Sequence, residues 1–191
     1  MRIGIYGGSF DPIHTGHAML ANYISQAGIV DELWLMVSKV NPLKTATPPA
    51  SDDHRLRMAS LVAEGCENVC ASGFELSLPS PSFTYQTLQK LKEHYPEHTF
   101  KIIIGSDNWH EFKRWRNPDE IVREFGVIIY PRPGYEIEGK LPEGVELLEG
   151  VPTVEMSSTF VRNLIKEGKN IIYFVPRDVA EYIRRHQLYK N

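Results

Sequence analysis

Two histidines three residues apart, His14 and His17, sit in the stretch Gly7-Gly8-Ser9-Phe10-Asp11-Pro12-Ile13-His14-Thr15-Gly16-His17. An apolar run, Ile3-Gly4-Ile5-Tyr6, comes before it and a helical apolar pattern follows. Glycines let backbone N–H groups come close to an anion, and a helix N-terminus adds about half a positive charge. Imidazoles, neutral or protonated, donate to oxygens that gain charge during a reaction. Gly16 has no side chain, which leaves room for a phosphate chain over the helix start. The layout suits the holding of phosphate and points to nucleotide chemistry.

Several other chemistries are excluded by spacing. The stretch lacks the G-x-G-x-x-G of a dinucleotide turn and the G-x-x-x-x-G-K-[ST] of a Walker loop. It is no G-x-S-x-G elbow, so Ser9 is a poor nucleophile. Asp11, His14 and His17 lie in a glycine-bearing turn that defines no coordination geometry, so no metal held by the protein alone is expected. A second constellation is Met156-Ser157-Ser158-Thr159-Phe160-Val161-Arg162, a run of hydroxyls at a helix start with an arginine one turn later. Hydroxyls and first-turn N–H groups hold phosphate oxygens, and arginine clamps them with two bonds. Taken alone, it reads rather as an ordinary Ser/Thr cap with a solvated arginine.

The elements that must carry these groups alternate. Residues 3–6, 33–37, 99–104 and 127–130 are apolar runs of strand length, and 69–76 is strand-like with Gly73 interrupting it. Residues 18–27, 51–64, 84–95, 157–166 and 176–186 carry helical spacing or caps, and 106–124 reads as helical pieces broken at Asn117-Pro118. Residues 145–148 form a short strand. Alternation of this kind implies a doubly wound, Rossmann-like parallel sheet with helices on both faces. One domain spanning residues 1–191 is expected, with a C-terminal helical part over about 157–191. Ligands in such sheets bind beyond the carboxyl ends of the strands, where loops 7–17, 38–44, 105–109 and 131–134 lie.

A net charge of −3 gives no support to a nucleic-acid partner gripped by overall basic charge. Cys66 and Cys70 lack further ligands at zinc spacing and read as reduced thiols. With no secretory leader and no apolar run near the ~20 residues of a membrane span, a cytoplasmic protein without membrane contact is expected.

G-x-F-D-x-x-H-x-G-H resembles the signature of the nucleotidyltransferase superfamily of adenylyl- and cytidylyltransferases. The resemblance implies that His14 and His17 contact the triphosphate and stabilise the transition state of a direct, in-line transfer assisted by Mg²⁺, with no covalent enzyme intermediate. Residues 156–162 then resemble the family's I-S-S-T-x-[IV]-R motif, which puts Ser158, Thr159 and Arg162 on the ATP triphosphate. Met156 for the usual Ile conserves volume.

Further segments resemble the bacterial nicotinate mononucleotide adenylyltransferases. Asn41-Pro42-Leu43-Lys44 is similar to their P-x-K loop and implies a phosphate-neutralising Lys44. Ser82-Phe83-Thr84-Tyr85-Gln86-Thr87-Leu88 is similar to S-[YF]-T-x-x-T-L, which places Thr84 and its backbone by the nicotinate group. Gly105-Ser106-Asp107 followed by Trp115 is similar to G-[AS]-D…W. Gly105 permits close approach at a strand end, Asp107 would contact ribose, and Trp115 would stack on the pyridine ring, while Trp109 reads as packing. Arg132-Pro133-Gly134 matches their R-P-G on the adenine side. Backbone over residues 8–10, with Ser9 and Phe10, would cradle the mononucleotide phosphate, and Gly7 and Gly8 would approach the nucleotide.

Residues 173–189 resemble the family's C-terminal signature, so the matches run from residue 2 to 189. Arg116 departs from the pattern. It either pairs with the nicotinate carboxylate or joins Lys113 and Arg114 on a solvated basic face. The expected partners are ATP and nicotinate mononucleotide. A phosphopantetheine adenylyltransferase and a non-catalytic nucleotide sensor are the rival readings.

Overall fold

The computed structural model describes residues 1–39 and 49–190. Six strands form one sheet: β1 (Arg2–Gly8), β2 (Glu32–Val37), β3 (Val69–Ser72), β4 (Thr99–Gly105), β5 (Val127–Tyr130) and β6 (Val145–Leu147). Their spatial order is β3-β2-β1-β4-β5-β6, and every pairing is parallel. This is the doubly wound order, with its switch point between β1 and β4. Helices α1 (Thr15–Gln26), α2 (Asp52–Ala63), α3 (Phe74–Ser77), α4 (Thr84–His94), α5 (Ser106–Glu111), α6 (Pro118–Glu124), α7 (Ser158–Lys166) and α8 (Arg177–His186) flank it.

The period-2 geometry of strands divides the core in two. Leu33, Leu35 and Val37 of β2, Ile103 of β4 and Ile128 of β5 face α1, α2, α7 and α8. Ile3 and Ile5 of β1, Ile102 and Ile104 of β4, and Val127 and Ile129 of β5 face α4 and α6. Val161 of α7 and Val179 and Ile183 of α8 share the first of these cores, so the C-terminal helices pack on the sheet. Gly4 is needed where β1 meets its neighbours, because a Cβ there would lie 2.7 Å from Ile103 Cδ1.

One expectation is corrected. The strand-like run 69–76 ends at Ser72, and residues 74–77 form the helical turn α3. The interruption at Gly73 is therefore a strand end. β2, the strand β3 pairs with, extends only as far as Val37, and Met36 is already opposite Ser72.

Leu35 is fully buried at the centre of the larger core. Leu35→Ala should cost about 2–5 kcal/mol through lost burial and a residual cavity. Urea unfolding at unchanged m-value reads it, and a loss under 1 kcal/mol would refute the tight packing described.

Candidate active site

The glycine-rich loop leaves β1 at the switch point and delivers His14 to the start of α1. His14 is the N-cap, and the two histidines cap each other's backbone. The His17 N–H donates to His14 Nδ1 at 3.4 Å, and the His14 N–H donates to His17 Nδ1 at 3.2 Å. Since both Nδ1 atoms accept, each neutral ring carries its proton on Nε2. The rings stack with centroids 3.6 Å apart. Burial, reinforced by Arg132, pulls the His14 pKa down to about 4. Burial also drives that of His17 well below its ordinary value, with His14 and then Arg132 adding to the effect. Two neutral imidazoles thus keep their Nε2–H donors free of this reciprocal cap.

Local packing explains two glycines of the motif. A Cβ on Gly16 would press on the His14 ring at 3.2 Å, and one on Gly8 would strike the Phe10 ring at 2.9 Å. Phe10 has a left-handed φ of 47° and a buried side chain packed edge-on against His17 at 5.1 Å. Only its backbone is therefore available to a ligand.

Two cavities meet at Tyr6 and Tyr130, which line both. The first, about 600 Å³, is lined by His14, Gly16, His17, Asp107, Arg132, Met156, Ser157 and Phe160 among others. The second, about 230 Å³, is lined by Gly7, Gly8, Ser38, Glu75, Ser82, Thr84, Thr87, Gly105, Asn108 and Trp115 among others. The sequence-predicted residues that line a cavity thus fall on both sides of the switch point, while Ser9 and Phe10 line neither. Gly7, Gly8 and Gly105, expected at the nucleotide, line the second cavity, whereas Asp107 lines the first. A larger hollow of about 1170 Å³ lies elsewhere, between Trp109, α6 and residues 134–144. Among the described residues it contains none of the predicted catalytic groups, and Trp109 stacks there on Phe112 as a packing residue.

Arg132 bridges the first cavity. Its Nε is 3.5 Å from Asp107 Oδ1, its guanidinium faces the Tyr130 ring at 5.8 Å, and its backbone N–H donates to Ser106 Oγ at 2.8 Å. Asp107 Oδ1 is buried without a hydrogen bond. Ser158, Thr159 and Arg162 line neither cavity and instead brace the loop. Ser158 Oγ donates to the Pro12 carbonyl, Arg162 Nη1 to the Asp11 carbonyl at 2.7 Å, and Arg162 Nη2 to Thr159 Oγ1 at 3.1 Å. Arg116 is exposed and lies over the Phe83 ring at 4.8 Å, beside Thr84 but outside the lining. Lys44 and its neighbours 41–43 lie outside the described residues.

Sequence reasoning missed Asp11 as a hub. Its carboxylate accepts from the Tyr189 hydroxyl at 2.8 Å and the Ala50 N–H at 3.0 Å. It also missed Arg55, which is fully buried beneath the loop. The signal for Arg55 was its place on the apolar face of α2, in register with Met58, Ala59 and Val62.

Comparison with known proteins gives the family. Residues 5–164 match the cytidylyltransferase-like family. The chain is 47% identical to a probable nicotinate-nucleotide adenylyltransferase of Bacteroides thetaiotaomicron, over 97% of this chain and 92% of that one. The chain belongs to the nicotinate-nucleotide adenylyltransferases of the cytidylyltransferase-like family. A second relative, from Flavobacterium johnsoniae and described in the same words, is 41% identical over the full length of both. Among solved structures, the nicotinic acid mononucleotide adenylyltransferase of Plasmodium falciparum complexed with NaAD is similar with a TM-score of 0.82. It is 25% identical, with 98% of this chain and 97% of that one covered.

The depressed His14 pKa has a consequence for pH. Between about 4 and the ordinary 6.5, the unfolded chain binds more protons at this site than the folded one. Stability from His14 is therefore complete above about pH 6.5 and falls as the pH drops toward 4. An NMR titration of the ligand-free protein should give a His14 midpoint near 4. A midpoint near the ordinary 6.5 would contradict the burial argument.

Proposed function

We propose that the chain transfers the adenylyl group of ATP to nicotinate mononucleotide, giving deamido-NAD and pyrophosphate. The observation that carries this is the pair of cavities joined at Tyr6 and Tyr130, with the two Nε2–H donors on one side only. ATP occupies the larger cavity and the mononucleotide the smaller one, so their phosphates meet at the switch point. A mononucleotide phosphate oxygen attacks the α-phosphorus in line. The bond to the β-phosphate oxygen breaks, and pyrophosphate leaves with that electron pair. No protein nucleophile is involved. Catalysis of this kind is positioning plus charge stabilisation.

His14 and His17 donate through Nε2 to oxygens of the α- and β-phosphates as charge builds. Arg162 uses two of its five N–H groups on the loop and Thr159 and keeps others for the triphosphate. Ser158, Thr159 and the first turn of α7 act with it. Asp107 accepts from a ribose hydroxyl, Arg132 closes the adenine side, and Gly7, Gly8 and Gly105 admit the nucleotides closely. Lys44 neutralises substrate phosphate. The N-cap of α4, Phe83, makes no side-chain cap, so first-turn N–H groups and Thr84 are open to the ring carboxylate while Trp115 covers the ring.

Mg²⁺ bound with the triphosphate would offset phosphate charge. The protein's own groups at the loop suit no resident ion, because both Nδ1 atoms and Asp11 Oδ1 accept from N–H and O–H donors and Asp11 Oδ2 lies 3.8 Å from the Arg162 guanidinium. Residues 1–191 act as one domain, and the protein works in the cytoplasm. Among the described residues, no helix is long and apolar enough to cross a membrane.

Pyrophosphate release with ATP, Mg²⁺ and either nicotinate or nicotinamide mononucleotide tests the assignment. Turnover should favour the acid, and absence of turnover with both would overturn it. His17→Ala should lower kcat by ~10²-fold or more, as the loss of a transition-state donor does. Arg116→Ala separates two roles for that residue: an unchanged acid-to-amide ratio of kcat/KM assigns it to the exposed surface, and a fall assigns it to the carboxylate.

A further inference from the structure

Arg55 is a cation with 0% of its surface exposed, and its surroundings leave it incompletely neutralised. Nη1 donates to the Ser9 carbonyl at 2.6 Å and to the Ser38 carbonyl at 2.8 Å. Nη2 pairs with Asp52 at 2.5 Å, but the Asp52 side chain is 55% exposed. Among the described residues Nε has no acceptor. A buried charge is normally kept only with full pairing, so this one demands a reason.

Its two carbonyl partners supply one. Ser9 follows β1 and Ser38 follows β2, so one guanidinium ties together the loops leaving neighbouring strands. A trans peptide points its N–H opposite to its C=O. With the Ser38 carbonyl turned onto Arg55, the Lys39 N–H faces away, and it donates to Glu75 Oε1 at 3.3 Å. Glu75 lines the smaller cavity. At the loop after β2 the side away from Arg55 is therefore the cavity side; Ser9 and Phe10 line neither cavity themselves but directly follow Gly7 and Gly8, which do. The same geometry at Ser9 turns the Phe10 N–H away from Arg55. Among the described residues nothing accepts from that N–H. Phe10 is held with φ at 47°, a conformation that persists in a non-glycine residue only where its surroundings over-determine it.

We infer that Arg55 is a positioning residue for the acceptor's phosphate: it locks the peptide between Ser9 and Phe10 so that the Phe10 N–H is free to donate to that phosphate. The guanidinium behind the loop adds a positive field at the same place, which the solvent-exposed Asp52 carboxylate offsets only in part. The inference rests on the assignment of the smaller cavity to the mononucleotide.

Arg55→Met removes both bonds and charge, and Arg55→Lys keeps the charge without the fork. With melting temperature as a folding control, Arg55→Met should raise KM for nicotinate mononucleotide about tenfold or more, as loss of charge-assisted bonding does. KM for ATP should stay within twofold, and Arg55→Lys should fall between. A purely structural role would lower the active fraction and hence kcat, leaving both KM values unmoved; that result overturns the inference. If Arg55→Met does not fold, Arg55→Lys carries the comparison. Wild-type protein without turnover would defeat the functional assignment instead. The inference is then read in ¹⁵N-phenylalanine-labelled protein titrated with inorganic phosphate. A saturable Phe10 amide shift that Arg55→Lys abolishes supports it, and no shift in the wild type overturns it.

Discussion

The reciprocal cap between His14 and His17 is the interaction on which the site depends. Each ring spends its Nδ1 on the other residue's backbone N–H, which starts α1 and sets both tautomers in one step. Burial then keeps both rings neutral. A protonated pair at a 3.6 Å separation would repel itself, and donors arranged in advance need little reorganisation during reaction. Gly16 is part of the same device, because any side chain there would push the His14 ring.

Around this pair the molecule fixes one loop from many directions. Asp11 receives the Tyr189 hydroxyl from the C-terminal segment and the Ala50 N–H from the start of α2's approach. Arg162 and Ser158 reach the carbonyls of Asp11 and Pro12 from α7, and Arg55 reaches Ser9 from α2. Residues far apart in the chain thus hold the turn between β1 and α1. Burial and the neighbouring Asp11 carboxylate push the Tyr189 hydroxyl pKa upward, so Tyr189 stays a donor over the working pH range. An open parallel sheet explains the convergence, since its loops gather at the carboxyl ends of the strands.

Much of this was legible in the chain. Apolar runs of strand length alternating with capped helical patterns led to the doubly wound parallel sheet that is observed; its strand order, with the histidine motif at the switch point, came from the structure. The failures were local. Residues 74–77 carry Phe74 and Leu76 at alternate positions, a strand pattern, yet they turn into α3 where β3 ends. Ser158 and Arg162 were legible as part of a hydroxyl–arginine helix start suited to phosphate. Their present bonds to loop carbonyls were not, because backbone acceptors leave no trace in residue type.

What the sequence determined by itself was chemistry and class: glycines, imidazoles and a hydroxyl–arginine helix start that together suit phosphate, on an alternating strand–helix chain. Those properties depend on residue type and short-range spacing. The tertiary structure alone decided which side of the switch point each group serves. It placed Gly7, Gly8 and Gly105 in the smaller cavity, Asp107 in the larger one, and Tyr6 with Tyr130 in the wall between them. It also decided that Arg55 is buried beneath the loop and not solvated. These facts arise from contacts between residues distant in sequence, and only the closing of the sheet and its helices sets such distances.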